Sequence, residues 1–198
     1  MKRTVAIVCL VLIGLSAYSQ EKPKKVRRGN SHLSITPGAD MATMRSQDGV
    51  GTRVNFPQGF NWRLGLQFES PFAKGKWAFL IEPTYQHYKA PTPYPLKYSS
   101  LETPIGFRRY LPVSKASAIF INAMVVFDIP FTYSMELAPG LNFTSSNFKT
   151  NFAAGAGIAM RRLTLEYRFY SQRTAKDETD SFTFNYNKRS LILGYRLY

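Results

Sequence analysis

Two histidines, His32 and His87, are the only side chains of this 198-residue chain suited to act as a general base near neutral pH. His87 precedes Ser99 and Ser100, and acyl transfer needs a nucleophile activated by such a base. No acidic residue stands at a spacing that would orient either histidine, and the single cysteine, Cys9, lies in an N-terminal apolar run. The sequence therefore disfavours a lipid-modifying enzyme, which would depend on His87, and it predicts no cofactor and no metal site.

A second group of reactive side chains consists of charged residues that alternate with apolar ones. They are Arg63, Glu69, Glu82, Glu102, Arg108, Asp128, Glu166, Arg168 and Arg196. In a β-strand, side chains two residues apart share a face, so these charges lie opposite the apolar face. In a barrel of eight strands the interior is just wide enough for side chains, and we expect the two signs to pair there as a structural polar network. A narrow ion path is the open alternative.

The elements that position these charges are segments of about ten residues with a period of two. The clearest is 60–69, where every even position is apolar and every odd position is polar or glycine. Similar segments follow, with a weaker first one at 32–42, and no 18-residue apolar run occurs beyond the N-terminus. They are 77–86, 101–108, 119–129, 148–159, 163–169 and 182–197. The pattern predicts an all-β fold, an antiparallel eight-stranded transmembrane β-barrel.

The last of these strands changes its alternation. Phe182, Phe184 and Tyr186 are even-numbered, whereas Leu191 and Leu193 are odd-numbered. This change requires either a β-bulge or a change of environment near 187–189.

The connectors alternate in length. Those after the first, third, fifth and seventh strands are longer, and those after the second, fourth and sixth are short. The longer ones are 45–56, 89–98, 132–147 and 174–181. Long outer loops and short periplasmic turns are typical of outer-membrane barrels, so we expect this localisation and orientation.

The N-terminal region predicts export. Residues 1–20 combine Lys2 and Arg3, an apolar run and a small-residue end, as a signal peptide does. Residues 21–30 predict a basic, disordered periplasmic tail, and 31–198 the barrel. The whole chain has a net charge of +14. In an exported protein this charge favours the phosphates of lipopolysaccharide and phospholipids as partners over nucleic acid.

Rim residues complete the expected lipid contacts. Six cations near the predicted outer rim would contact lipopolysaccharide phosphates, although a merely solvated rim is the other interpretation: Lys89, Lys97, Arg173, Lys176, Lys188 and Arg189. Aromatic residues near the strand ends predict two interfacial girdles. The outer girdle would comprise Trp62, Tyr85, Tyr88, Phe131 and Tyr170, and the periplasmic girdle Phe68, Trp77, Phe107 and Tyr110.

Four motifs carry a family resemblance: 34–38 (SITPG), 80–83 (LIEP), 101–111 (LETPIGFRRYL) and the aromatic end 194–198 (GYRLY). In these motifs the chain resembles the outer-membrane β-barrel proteins common in Bacteroidota, a group that includes a barrel component of the gliding-associated secretion apparatus. The resemblance implies a small barrel whose C-terminal strand is read by the outer-membrane assembly machinery.

The sequence as a whole favours a non-enzymatic outer-membrane barrel that acts as an anchor, a scaffold or an interaction partner in the cell envelope or a secretion assembly. A narrow channel or a small-ligand-binding barrel is the alternative function. A soluble, basic β-sandwich is the alternative architecture, and it would require the apolar faces to pack against each other.

Overall fold

A computed structural model describes residues 31–48, 53–90, 96–135, 149–176 and 182–197. They form ten strands in one antiparallel sheet, with no α-helix in these ranges. The strands are β1 (His32–Asp48), β2 (Arg53–Phe72), β3 (Trp77–Ile81), β4 (Thr84–Ala90), β5 (Leu96–Pro112), β6 (Ser117–Met135), β7 (Lys149–Met160), β8 (Leu163–Tyr170), β9 (Arg173–Lys176) and β10 (Phe182–Arg196).

The sheet closes on itself because β1 pairs with both β2 and β10. Two pairs of short strands each act as one barrel strand, so the barrel has eight. β3 and β4 both pair with β2 and β5, on either side of Glu82 and Pro83, and β8 and β9 both pair with β10. The predicted closed, antiparallel, eight-stranded barrel is confirmed.

Pro83 causes the interruption between β3 and β4, because proline has no N–H to donate to a neighbouring strand. The neighbours still bond to the interruption: Leu66 N donates to Pro83 O (3.0 Å) and Glu82 N donates to Pro104 O (2.9 Å). The barrel wall therefore stays closed beside Glu82, the residue at the centre of the lumen described below.

The two faces of the wall differ in polarity. In β2, Trp62, Leu64 and Leu66 are about half exposed, at 51%, 50% and 49%, whereas Arg63 and Gln67 between and beyond them are buried at 1% and 3%. Apolar side chains thus face outward and charged ones inward, which is the polarity of a membrane barrel and the reverse of a soluble one. The β-sandwich alternative is wrong, because the apolar faces do not pack on each other. No helix in the described ranges is long and apolar enough to cross a membrane.

Of the two interpretations of the last strand, a bulge and a change of environment, the structure excludes the bulge. β10 pairs with β1 without a register shift from Leu191 to Phe182, and its even positions stay buried from Tyr186 to Gly194. Tyr186 lies inside the barrel, where its ring meets that of Tyr88 edge-on at 5.7 Å. The change of alternation is therefore a change of environment, because the aromatic Tyr186 faces the lumen and not lipid. The side chains of Phe182 and Phe184 lie outside the described part.

The strands are longer than the alternation predicted. β1, β2, β5 and β6 have 17, 20, 17 and 19 residues and include parts of the segments expected to be loops. About ten residues suffice for a tilted strand to cross a bilayer. The short turns at 73–76, 113–116 and 161–162 lie at one end of the barrel, together with the first residues of β1 and the last residues of β10. The excess strand length therefore extends beyond the membrane at the other end.

Candidate functional site: the charged lumen and the barrel rims

The centre of the lumen is the carboxylate of Glu82, which binds two arginines. Arg63 Nη2 lies 2.7 Å from Oε1, and Arg168 Nη2 lies 2.7 Å from Oε2. Thr36 and Gln67 add hydrogen bonds of 3.1 Å, one to each oxygen. All five residues are buried, so both oxygens of this carboxylate are paired away from solvent.

The network continues from Arg168 towards the short-turn end. Arg168 Nε lies 2.5 Å from Glu166 Oε1, and Arg108 Nη2 lies 2.8 Å from Glu166 Oε2. Arg108 Nη1 then lies 3.1 Å from Glu69 Oε2. The result is an alternating chain of three carboxylates and three guanidiniums, carried by β2, β5, β8 and the β3–β4 junction. Its order is Glu69, Arg108, Glu166, Arg168, Glu82 and Arg63.

These six side chains are almost fully removed from solvent, with 0–2% exposure each. Burying a single ion costs roughly several kcal/mol unless that ion is paired and hydrogen-bonded. Here each charge has an opposite one within 3.1 Å, and the formal charges of the chain cancel. The centre of the lumen therefore holds a neutral ionic chain, as expected for a barrel of this size.

Aromatic residues close the network at the short-turn end. The Tyr110 hydroxyl donates to the Glu69 carboxylate at 2.7 Å, and His32 Nε2 lies 3.6 Å from Glu69 Oε2. The ring of Phe120 lies 4.0 Å from the Arg108 guanidinium, a cation–π contact. His32 is thus a buried partner of a structural carboxylate at the start of β1.

Lys188 corrects one of the predicted rim contacts. It was expected at the outer rim, but its side chain is buried in the lumen, with Nζ 2.5 Å from Glu102 Oε2 and 2.7 Å from Gln86 Oε1. Nζ also lies 4.0 Å from the centroid of the Tyr170 ring and 3.8 Å from Asp40 Oδ2. The reason is the unbroken register of β10, which turns the even positions from Tyr186 to Gly194 inward. Lys188 therefore forms a second ionic cluster nearer the long-loop end.

The remaining predicted lumen residues lie apart from the central chain. Asp128 is buried (2%) and faces Glu102 across the β5–β6 pair. Arg196 is half-buried at the short-turn end of β10. Sequence reasoning missed Asp40, which accepts a 2.5 Å hydrogen bond from Ser190. Asp40, like the buried His32, is an even-numbered residue of β1. The alternation of side chains along the first strand could therefore have placed it in the lumen.

The outer-rim cations are only partly described. Lys89 and Arg189 are exposed, and the Arg189 guanidinium lies 5.9 Å from the centroid of the lipid-facing Phe169 ring. Lys97 faces Lys89 in the β4–β5 pairing. The side chains of Lys97, Arg173 and Lys176 lie outside the described part.

Three of the tyrosines assigned to the girdles face the lumen instead. Tyr88, Tyr110 and Tyr170 are exposed by only 1%, 4% and 7%. Each occupies an even-numbered position, which is the inward-facing position of its own strand. The girdle residues with outward side chains are Trp62, Tyr85 and Phe131 towards the long-loop end, and Phe68, Trp77 and Phe107 towards the short-turn end.

A histidine–serine pair lies on the outward face near the long-loop end. His87 Nδ1 is 2.8 Å from Ser99 Oγ, and the His87 ring lies 6.2 Å from that of Trp62. A catalytic pair of this kind also needs a group that orients the histidine. The six carboxylates whose side chains are described are all buried in the lumen, and none of them reaches His87. They are Asp40, Glu69, Glu82, Glu102, Asp128 and Glu166. Within the same part of the chain, no three metal-ligating side chains form a group.

The closed wall, its apolar exterior and its ionic interior define the class: a small β-barrel of the outer-membrane type. No protein-family model matches the chain, and no curated protein matches it. Solved structures with similar folds include Ail, the attachment invasion locus protein of Yersinia pestis, in complex with the heparin analogue sucrose octasulfate (16% identity, 85% of this chain and 99% of Ail, TM-score 0.45). Neisserial surface protein A is also similar (16%, 84% and 97%, TM-score 0.48), as is the outer membrane enzyme PagL (16%, 79% and 98%, TM-score 0.46).

Proposed function

We propose that this protein is a non-enzymatic outer-membrane barrel that anchors or scaffolds a partner in the cell envelope. The observation that carries the proposal is the neutral chain of three carboxylates and three arginines across the lumen. Because these six side chains pair with each other, their charges are not available to a ligand, and a barrel of eight strands encloses room for little more than side chains. The work of the protein then falls to its outer end and its rims.

The outer end is suited to a protein partner. The long strands extend past the bilayer and lead into the connectors 49–52, 91–95, 136–148 and 177–181. The longest of these, 136–148, contains Leu137, Leu141 and Phe143, a high apolar content for a segment that connects two barrel strands. We therefore assign the partner contact to 136–148. A secretion assembly of the kind suggested by the Bacteroidota resemblance is the setting we propose.

Lipids and the assembly machinery are the other proposed partners. Exposed Lys89 and Arg189 support contacts with lipopolysaccharide phosphates, and Lys97, Arg173 and Lys176 extend the same proposed rim. β10 closes the barrel against β1, and we propose that the assembly machinery reads this C-terminal strand.

In-cell photo-crosslinking tests the scaffold function. A photoreactive residue at Phe143 should give one discrete adduct in outer-membrane fractions, and a probe at Lys115 in a short turn serves as the control. Deleting 138–146 should abolish co-purification of the crosslinked partner while the barrel keeps its heat-modifiable mobility. Adducts of equal yield from both positions, or none from Phe143, would contradict the assignment.

Conductance in planar bilayers tests the channel alternative. The paired lumen predicts that the wild-type barrel gives no stable single-channel steps. Regular steps that change in size on Arg168→Gln would replace the scaffold proposal with a narrow ion path.

The His87–Ser99 contact favours a second candidate, a lipid-modifying enzyme. The pair lies on the lipid-facing wall, where a hydroxyl activated by histidine could attack an acyl ester of an outer-leaflet lipid. Mass spectrometry of lipid A from cells with and without the protein tests it. We expect identical spectra; a mass difference that disappears in both His87→Ala and Ser99→Ala would establish the enzyme instead.

A further inference from the structure

Every solvent-accessible charge that the structure describes at the short-turn end is positive. Five of these cations are exposed, Lys74, Lys76, Arg109, Lys115 and Arg162, and two are half-buried, Arg161 and Arg196. All of the carboxylates with described side chains are inside the barrel, so none of them neutralises this rim from outside. The short-turn end of an outer-membrane barrel faces the periplasm, and this rim therefore lies at the inner leaflet.

Three of these cations are held together by the turn between β2 and β3. Ala73, Lys74 and Gly75 have positive φ angles of 47°, 57° and 75°, which makes the turn tight. Tyr110 N donates a 2.8 Å hydrogen bond to Lys76 O, so the turn is fixed to β5 next to Arg109. Lys74, Lys76 and Arg109 thus form one local group, which we call the cationic cluster.

An aromatic patch lies directly beside the cationic cluster on the outward wall. It consists of Phe72, Trp77, Phe79 and Phe107. Phe107 lies edge-on to Phe72 at 6.2 Å and to Phe79 at 5.7 Å. Phe72, Trp77 and Phe107 are exposed by 46%, 38% and 52%, which leaves an apolar surface open towards the membrane.

Trp77 joins the two features. It pairs with Arg109 across β3 and β5, and the Arg109 guanidinium lies 5.4 Å from the centroid of its ring. This distance is that of a cation–π contact, which orients the arginine at the edge of the aromatic patch. A single molecule lying on Trp77 would therefore meet positive charge at one end and aromatic rings at the other.

We propose that the cationic cluster and the aromatic patch bind a phospholipid with a net negative headgroup, drawn from the inner leaflet. The phosphate pairs with Lys74, Lys76 and Arg109, and an acyl chain lies along the patch. The charge is complementary, and the apolar surface adjoins it on the side that meets the bilayer. A free phosphate would leave the aromatic patch unused. This site is separate from the proposed partner contact at 136–148, which is at the opposite end of the barrel.

The protein contains two tryptophans, Trp62 and Trp77, which provides a local probe. Trp62→Phe removes the reporter at the far end and leaves Trp77 in the site. The full barrel is reconstituted in phosphatidylcholine vesicles that contain the same mole fraction of brominated-chain phosphatidylglycerol or brominated-chain phosphatidylcholine. Bromine quenches a nearby tryptophan, so the ratio of the two quenching efficiencies measures the local enrichment of the anionic lipid.

We expect brominated phosphatidylglycerol to be enriched about fivefold beside Trp77, the equivalent of about 1 kcal/mol for one net cation near an anionic surface. The triple variant Lys74→Gln, Lys76→Gln, Arg109→Gln should reduce the ratio to one. The control triple Lys115→Gln, Arg161→Gln, Arg162→Gln removes the same number of cations from the same rim and should keep the enrichment. All these substitutions are in turns or on exposed positions, and a heat-modifiability gel verifies that each variant folds.

Three outcomes would overturn the proposal. Equal quenching by the two brominated lipids would mean that the cluster does not select an anionic headgroup. An equal loss in both triple variants would assign the preference to the general charge of the rim. Inorganic phosphate that removes the enrichment at an ionic strength where chloride does not would identify free phosphate as the ligand instead of a lipid.

Discussion

Arg168 Nη2 lies 2.7 Å from Glu82 Oε2, although the two residues are 86 positions apart in the sequence. They come from β8 and from the junction of β3 and β4, which do not pair with each other. The ion pair therefore spans the lumen and ties together opposite parts of the wall. Closing the barrel is what creates the contact, and the contact in turn stabilises the closed form.

Glu82→Gln should strongly destabilise the barrel. The amide keeps the size of the side chain but removes the charge that Arg63 and Arg168 share, and these two guanidiniums are 0–1% exposed. Removing one partner of a buried ion pair costs about 3–5 kcal/mol. Urea unfolding in phospholipid vesicles, followed by tryptophan fluorescence, gives the free energy of unfolding. Lys89→Gln, at an exposed position, is the control and should unfold like the wild type. A Glu82→Gln protein of wild-type stability would show that the ionic core is not structural.

Lys188 and Arg189 test the unbroken register of β10. Lys188 is buried against Glu102, and the next residue, Arg189, is exposed on the lipid-facing side. Lys188→Met should therefore destabilise by about 3–5 kcal/mol, because it leaves the Glu102 carboxylate without its 2.5 Å partner. Arg189→Met removes the same charge one position away and should leave the unfolding midpoint unchanged. A bulge at 187–189 would reverse the order of the two variants.

The inward position of the charges was predictable because the alternation of side chains is a property of the extended backbone. Arg63, Glu82 and Arg168 each stand between apolar neighbours, and the parity of the strand decides their face. The number of barrel strands follows from the same pattern. Which arginine meets which carboxylate was not predictable, because the pairing across the lumen depends on the stagger of the closed barrel.

Aromatic residues marked the limit of the sequence reasoning. Tyrosine occurs both at membrane interfaces and in polar interiors, because it combines an apolar ring with a hydroxyl. Tyr110 and Tyr170 were placed at the lipid interface because they are near strand ends. Both are even-numbered, however, like the buried charges of their own strands, β5 and β8. Assigning each side chain to a face by its position in the alternation, and not by its residue type, would have placed both tyrosines and Lys188 inside the barrel. The proposed phospholipid site had no sequence signal, since its residues come from β2, the turn after it, β3 and β5 and meet only through strand pairing.

Glycine at position 106 is required by a close approach of neighbouring backbone. A Cβ atom there would lie 2.1 Å from Ala123 O and 2.6 Å from Met124 Cα, and neither backbone atom can move without disturbing the β5–β6 pairing. Gly106→Ala should therefore lower the yield of heat-modifiable barrel and the stability of what assembles. Gly194→Ala is the matched control, because its nearest contact is the Thr164 hydroxyl at 2.2 Å, which can rotate away. Equal behaviour of the two variants would mean that the β5–β6 contact is looser than described.

Tyr88 and Tyr110 provide a matched pair of hydroxyl deletions in the lumen. The Tyr110 hydroxyl donates to Glu69 at 2.7 Å, whereas the buried Tyr88 hydroxyl has no hydrogen-bond partner among the residues that the structure describes. Tyr110→Phe should cost about 1.5–3 kcal/mol, the range for a hydrogen bond to a charged group. Tyr88→Phe should leave the barrel as stable as the wild type or more so, because it removes a polar atom that burial leaves unpaired. Parallel urea unfolding of the two variants measures the difference. A larger loss for Tyr88→Phe than for Tyr110→Phe would mean that the Tyr88 hydroxyl has a partner in the lumen and that the Glu69 carboxylate does not depend on Tyr110.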